Sequence, residues 1–260
     1  MTMTTVIAPE AAFTSAVATD GARVPILTHR PSTPRGWLVW AHGGSWQYGS
    51  AAAWAPVTAA LTARSGWAVA SVDYRPAPEH RFSAAVLDML AALTWAENQT
   101  EGLPVVVGGD SAGGTVAAIA VLARRDAGEP VPPHLLAYPP LDPACDRPSY
   151  AADSGAFPSA ASLRVAWQLW LGRAPDPTFP PAPLAASNLA GLAPVALVVG
   201  EDDPVRDDVA AYAGRLRADG VPVMHTVAGA GHAELLRSGS NVTAAVAAAL
   251  STPALSATRN

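Results

Sequence analysis

The chain is 260 residues long, half of them hydrophobic and 14% charged, which is enough for one large core and too little for two full domains. All 16 basic residues are arginine, scattered apart from the pair Arg124 and Arg125, and with a net charge of −5 this excludes a nucleic-acid footprint. No apolar stretch approaches the ~20 residues that a bilayer span requires, and the single cysteine, Cys145, has no partner for an internal disulfide.

Met1 to Ala12 carries no basic residue ahead of an apolar stretch, so it does not read as a secretory leader, and a cytoplasmic protein is expected. Ala12 to Ala18 and Val24 to Thr28, joined by Asp20 and Gly21, read as an antiparallel hairpin at a sheet edge. Trp37 to Ala41 is a short continuous apolar run, the pattern of a strand buried on both faces of a parallel sheet. Directly after it, His42, Gly43, Gly44, Ser45 and Trp46 form a loop whose bare glycine amides can approach a substrate oxygen.

Alternation follows. A helical pattern at Ala55 to Arg64 precedes a strand at Trp67 to Val72, and a helix at Ala84 to Glu97, with Ser83 as N-cap, precedes a strand at Pro104 to Val107. Then come a helix at Ala112 to Arg125 and a strand at His134 to Tyr138. Residues 139–193 form a longer segment with ten prolines from Pro139 to Pro183 and one helix, Ser162 to Leu171, carrying Trp167 and Trp170. This reads as a small cap inserted into a single domain spanning 1–260, since long loops in compact domains tend to be functional. Val195 to Val199, a helix at Asp207 to Asp219, Val223 to Val227 and a helix at Asn241 to Leu250, with Asn241 as N-cap, complete the series. Strands alternating with helices give an α/β fold with a mostly parallel sheet.

Gly109, Asp110, Ser111, Ala112 and Gly113 spell G-x-S-x-G between a strand and a helix. That context is what a nucleophile elbow requires: the serine sits on a tight, strained turn, and side chains larger than glycine at the flanking positions would collide. The helix N-terminus behind Ser111 adds partial positive charge near a developing oxyanion. No H-x-x-x-H or C-x-x-C spacing appears and no G-x-G-x-x-G follows a strand, so neither a metal nor a cofactor is implied.

Five motifs in order resemble the hormone-sensitive-lipase branch of α/β-hydrolase esterases: His42 to Ser45, Asp73 to His80 with Pro76 in place of leucine, Gly109 to Gly114, Asp203 to Asp207, and Gly231 to His232. The resemblance runs from about Trp37 to the C-terminus. It implies Ser111 as nucleophile, Asp203 as acid and His232 as base, with the amides of Gly44, Ser45 and Ala112 as oxyanion donors. Ser45 departs from the family's glycine, keeping the N–H but adding a side chain near the substrate. Read from the residues alone, His232 lies in a flexible loop, Gly229 to Gly231, after a strand. His134 and His225 lie within strands, His29 in the N-terminal segment, and His42 and His80 in loop-shaping motifs. For the acid, Asp202, Asp203, Asp207 and Asp208 cluster after one strand and Asp142 follows an earlier one, leaving Asp142 as the chief rival to Asp203. Asp73 and Glu79 read as loop anchors, and Asp110 as structural.

The resemblance implies a serine carboxylesterase whose partner is a small-molecule ester. The family carries an N-terminal helical arm over its acyl pocket, and about eleven residues precede the first strand here, so a more open pocket taking short-chain or aromatic esters is expected. Trp46, Trp167 and Trp170 are expected to offer a flat apolar binding surface. His42 to Trp46 also matches the His-Gly-Gly-x-Trp loop of kynurenine formamidases, which makes an arylformamidase the alternative, beside a biosynthetic acyltransferase or cyclase using the same triad. A non-enzymatic receptor is disfavoured by the complete triad. No nucleic acid or membrane is expected as partner, and a homodimer is left open.

Overall fold

A computed structural model describes residues 10–100, 102–152, 156–173, 175–229, 231–237 and 239–256. The reading of the extreme N-terminus therefore falls mostly outside the described residues, as do Ala230 and parts of the 139–193 segment. The strands are β1 (Glu10–Val17), β2 (Arg23–Arg30), β3 (Trp37–Ala41), β4 (Ala68–Val72), β5 (Val105–Asp110), β6 (His134–Ala137), β7 (Val195–Val199) and β8 (Val223–Val227). The helices are α1 (Ala55–Ser65), α2 (Ser83–Gln99), α3 (Ala112–Asp126), α4 (Ala160–Leu171), α5 (Arg206–Ala218), α6 (Asn241–Ala249) and α7 (Pro253–Ser256).

One sheet of eight strands runs in the order β1-β2-β4-β3-β5-β6-β7-β8. The β1–β2 hairpin is antiparallel and β2 joins β4 antiparallel, while β4, β3, β5, β6, β7 and β8 are mutually parallel. The parallel strands β3, β4 and β7 are buried at every residue, which is why they read as unbroken apolar runs and not as alternating ones.

The order explains the layers. The chain leaves β3 toward β4 on one side and then steps back past β3 to β5, after which it moves the other way through β6, β7 and β8. Right-handed crossovers put α1 on one face of the sheet and α2, α3 and α5 on the other. Accordingly α1 packs with α6, and α2 with α3. The direction of travel reverses between β3 and β5, and the crevice beyond the carboxyl ends of strands at such a switch point is where ligands bind in open α/β sheets.

Two sequence expectations about helix starts are corrected. Ser83 is the first residue of α2 with no side-chain cap in front of it, because Phe82 takes the N-cap position and its N–H donates to the carbonyl of Trp170 (3.0 Å). Packing against α4 fixes that start. For α6 the cap is Ser240, one residue ahead of Asn241, and its Oγ accepts the Thr243 N–H at 3.1 Å. Among the described residues no helix is long and apolar enough to cross a membrane.

Candidate active site

Three strand ends converge at the switch point. The register pairs Ala41 with Gly109 and Asp110 with Ala137, so the loops after β3 and β5 and the residue after β6 leave the sheet side by side. Ser111 follows β5 directly with φ 49° and ψ −124°, a conformation sparsely populated by residues with a Cβ, and α3 begins at the next residue. Its flanking glycines are obligatory for steric reasons. A Cβ at Gly113 would overlap the carbonyls of Ala41 and His42, and one at Gly109 would overlap the backbone of Gly113. The Ser111 N–H is tied to the Ala137 carbonyl at 2.9 Å, which fixes the turn against β6.

His232 Nε2 lies 2.8 Å from Ser111 Oγ, and His232 Nδ1 lies 3.0 Å from both carboxylate oxygens of Asp203. Asp203 is 1% exposed, and its Oδ1 also accepts the Val205 N–H at 3.0 Å, so the carboxylate is held on both sides. Asp142 is elsewhere. Its Oδ1 accepts the Ala144 N–H and its Oδ2 faces Arg147. The neighbouring acids have other partners too: Asp207 accepts the Ser149 N–H, and Asp208 accepts the Leu141 N–H and the Tyr150 hydroxyl, with burial raising its carboxyl to about 6. Of the acids considered from sequence, Asp203 is the one brought to the histidine.

The loop after β3 turns back on itself. The Gly44 carbonyl accepts the N–H groups of Gln47 (3.0 Å) and Tyr48 (2.9 Å), and a Cβ at Gly44, where φ is +120°, would overlap the Tyr48 carbonyl. Ser45 and Trp46 also have positive φ, 54° and 61°. The N–H groups of Gly44, Ser45 and Ala112 are given to no carbonyl or side chain among the described residues. His42 lies beneath the loop, 2% exposed, its ring stacked on Tyr74 (centroids 4.4 Å) and its Nδ1 2.7 Å from the Gly43 carbonyl. Asp73 anchors the far end of the loop by accepting the Ala51 N–H at 2.8 Å. Glu79, expected as a second anchor, is exposed; that task falls to Arg75, which binds Asp88 through Nε and Nη2.

Asp110 is 2% exposed and its Oδ1 accepts two indole N–H groups, from Trp40 and Trp54, each at 3.0 Å. Burial nevertheless raises its carboxyl to about 7, because these hydrogen bonds offset only part of the lost hydration.

A cavity of about 120 Å³ opens over Ser111 and His232, walled by Trp54, Tyr138, Phe157, Pro158, Leu163 and Leu236. Of the six described non-glycine residues with positive φ, Ser45, Ser111, Tyr138 and Ala233 line this cavity. Backbone strain concentrated at one cleft marks it as the place the fold is built to serve. Tyr138, which follows β6, lays its ring 4.7 Å from that of His232, and Phe157 stands 5.9 Å from it on the exposed rim.

The expectation for the tryptophans is overturned. Trp46, Trp167 and Trp170 are each at most 1% exposed and pack on one another, Trp46 parallel to Trp170 at 4.5 Å and tilted on Trp167 at 4.4 Å. They clamp α4 to the loop after β3 and do not line the cavity. Aromatic residues in the 139–193 segment could equally face substrate or core, and three buried indoles contribute more as packing. Sequence reasoning missed Trp54, Tyr138, Phe157 and Leu236. Tyr138 had a signal, its place at the carboxyl end of the strand beside β5, whereas the other three lie in connections without a motif.

Residues 38–236 match the family described as alpha/beta hydrolase fold. Carboxylesterase NlhH of Mycobacterium tuberculosis is 38% identical over 214 residues, 77% of this chain and 67% of its own length. The ethyl acetate hydrolase of Pseudomonas putida is 32% identical, with 80% of this chain and 70% of that protein covered. Among solved structures, a bacterial heroin esterase superposes with a TM-score of 0.83 at 32% identity, covering 97% of this chain and 84% of that one.

Proposed function

From the membership of this chain in the α/β-hydrolase family, and its standing there as a carboxylesterase, we infer a serine mechanism in which Ser111 attacks the ester carbonyl, His232 moves the proton and Asp203 orients the imidazole. The observation that carries this reading is the unbroken chain from Ser111 Oγ through His232 to Asp203, with links of 2.8 and 3.0 Å. Asp203, accepting at Nδ1, holds the tautomer whose Nε2 takes the serine proton. The amides of Gly44, Ser45 and Ala112 then receive the tetrahedral oxyanion, and each such donor is worth roughly 100- to 1000-fold in rate in comparable sites. His232 returns the proton to the leaving alcohol, and a water it deprotonates releases the acid from the acyl-enzyme.

The substrates are short-chain or aromatic esters. A cavity of about 120 Å³ is small beside the roughly 300–1,000 Å³ of pockets for drug-sized ligands, and its walls are mainly apolar. Residues 139–193 act as a cap, supplying Phe157, Pro158 and Leu163 to one side of the cleft.

The test compares two conservative variants on p-nitrophenyl acetate. Asp203→Asn should lower kcat by about 10³- to 10⁴-fold, because the amide favours the wrong imidazole tautomer, while Asp142→Asn should stay within about threefold of wild type. Greater damage from Asp142→Asn would overturn the assignment of the acid.

A further inference from the structure

We propose that Trp54 is the wall that limits acyl length, with Asp110 as the residue that positions it; this rests on the serine-esterase reading above. The chemistry of the reaction divides the cavity. His232 must deliver its proton to the leaving oxygen, so the alcohol group lies on the histidine side, flanked by Tyr138 and Phe157. The acyl group takes the opposite side, toward the loop after β3, where Trp54, a lining residue of the cavity, sets its ring beside His42 of that loop.

Trp54 is fixed at both ends. Its backbone occupies the N-cap position of α1, its N–H donating to the Ser50 carbonyl at 3.1 Å. Its ring lies 5.2 Å from that of His42, and its Nε1–H donates to Asp110 Oδ1, on the residue immediately before the nucleophile. Trp40, in the core of β3, donates to the same oxygen and holds the carboxylate in place. An exposed tryptophan could rotate away from a lengthening acyl chain. This one is half-buried and tethered to the nucleophile's own turn, so it presents a rigid boundary.

The Trp54 indole N–H reaches across 56 residues of sequence to the carboxyl group beside the nucleophile. Trp40 donates to the same oxygen from within the core, whereas the second donor, Trp54, also lines the cavity, so the hydrogen bond that adds to the buried carboxyl's partners also fixes the cavity wall.

The experiment measures kcat/KM of the full chain on p-nitrophenyl acetate, butyrate and octanoate, and on butyrate esters of methanol, phenol and naphthol. Trp54→Ala should raise the octanoate-to-acetate ratio by about tenfold or more, as several methylenes gain apolar contact, while relative rates across the butyrate series move less than about twofold. Trp54→Phe keeps a ring beside His42 but lacks the N–H, so the ratio should rise by a smaller factor, about two- to threefold, as the untethered ring yields. The phenylalanine variant carries the test if the alanine variant does not fold. An unchanged acyl ratio in a folded Trp54 variant, or a change confined to the alcohol series, overturns the proposal. A wild-type chain that a fluorophosphonate fails to label at Ser111 would overturn the underlying serine mechanism and this inference with it; normal labelling with an unchanged ratio overturns the inference alone.

Discussion

Asp110 holds a proton that the unfolded chain would give up. Its carboxyl is raised from 3.8 to about 7, chiefly by burial, so between those values the unfolded state ionises and the folded state does not. The contribution of this group to stability is complete below about pH 3.8 and is lost as the pH rises to about 7. Asp110→Asn removes the titration while keeping a carbonyl acceptor for the two indoles. The variant should therefore lose less thermal stability than wild type between pH 4.5 and 7.5, whatever its absolute Tm. Identical losses in the two proteins would show that Asp110 is ionised throughout. At this scale the candidate triad was legible because each member sits in a short local motif, whereas the wall residues Trp54, Phe157 and Leu236 depend on contacts across long sequence separations that carry no local signature.

Glycines show how an element imposes its chemistry on sequence. Gly113, in the first turn of α3, faces the carbonyls of Ala41 and His42, where a Cβ has no room, while Gly214, in the middle of α5, has nothing within 4 Å of its ideal Cβ. Gly113→Ala should cost at least about 3 kcal/mol, since the overlapping atoms are backbone and cannot step aside. Gly214→Ala should instead stabilise by roughly 0.5–1 kcal/mol, as alanine restricts the unfolded chain and suits a helix interior. Chemical denaturation of the two variants beside wild type decides the matter, and equal effects would contradict the packing described for the elbow. The strands β3, β4 and β7 were legible at this scale because full burial leaves continuous apolar runs. The N-caps assigned to Ser83 and Asn241 were each misread by one residue: Phe82, held by a tertiary hydrogen bond, takes one and Ser240 the other.

The fold as a whole brings residues 44, 111, 203 and 232 to one crevice through strand order, and that order is the part least visible in sequence. Buried parallel strands lack the alternation that fixes register, so the runs could be counted but not arranged. The same burial explains the misread tryptophans. A Trp-rich segment over the strand ends suggested a substrate face, yet Trp167 and Trp170 serve to pin α4 to the loop after β3. On the proposed mechanism this assembly makes one serine, Ser111, nucleophilic. The most direct measurement is peptide mapping of the chain after reaction with a fluorophosphonate, beside hydrolysis of p-nitrophenyl acetate. Stoichiometric label on Ser111 with matching loss of turnover is the predicted result; turnover that survives complete labelling, or label on Ser45 or Ser71 in place of Ser111, would contradict it.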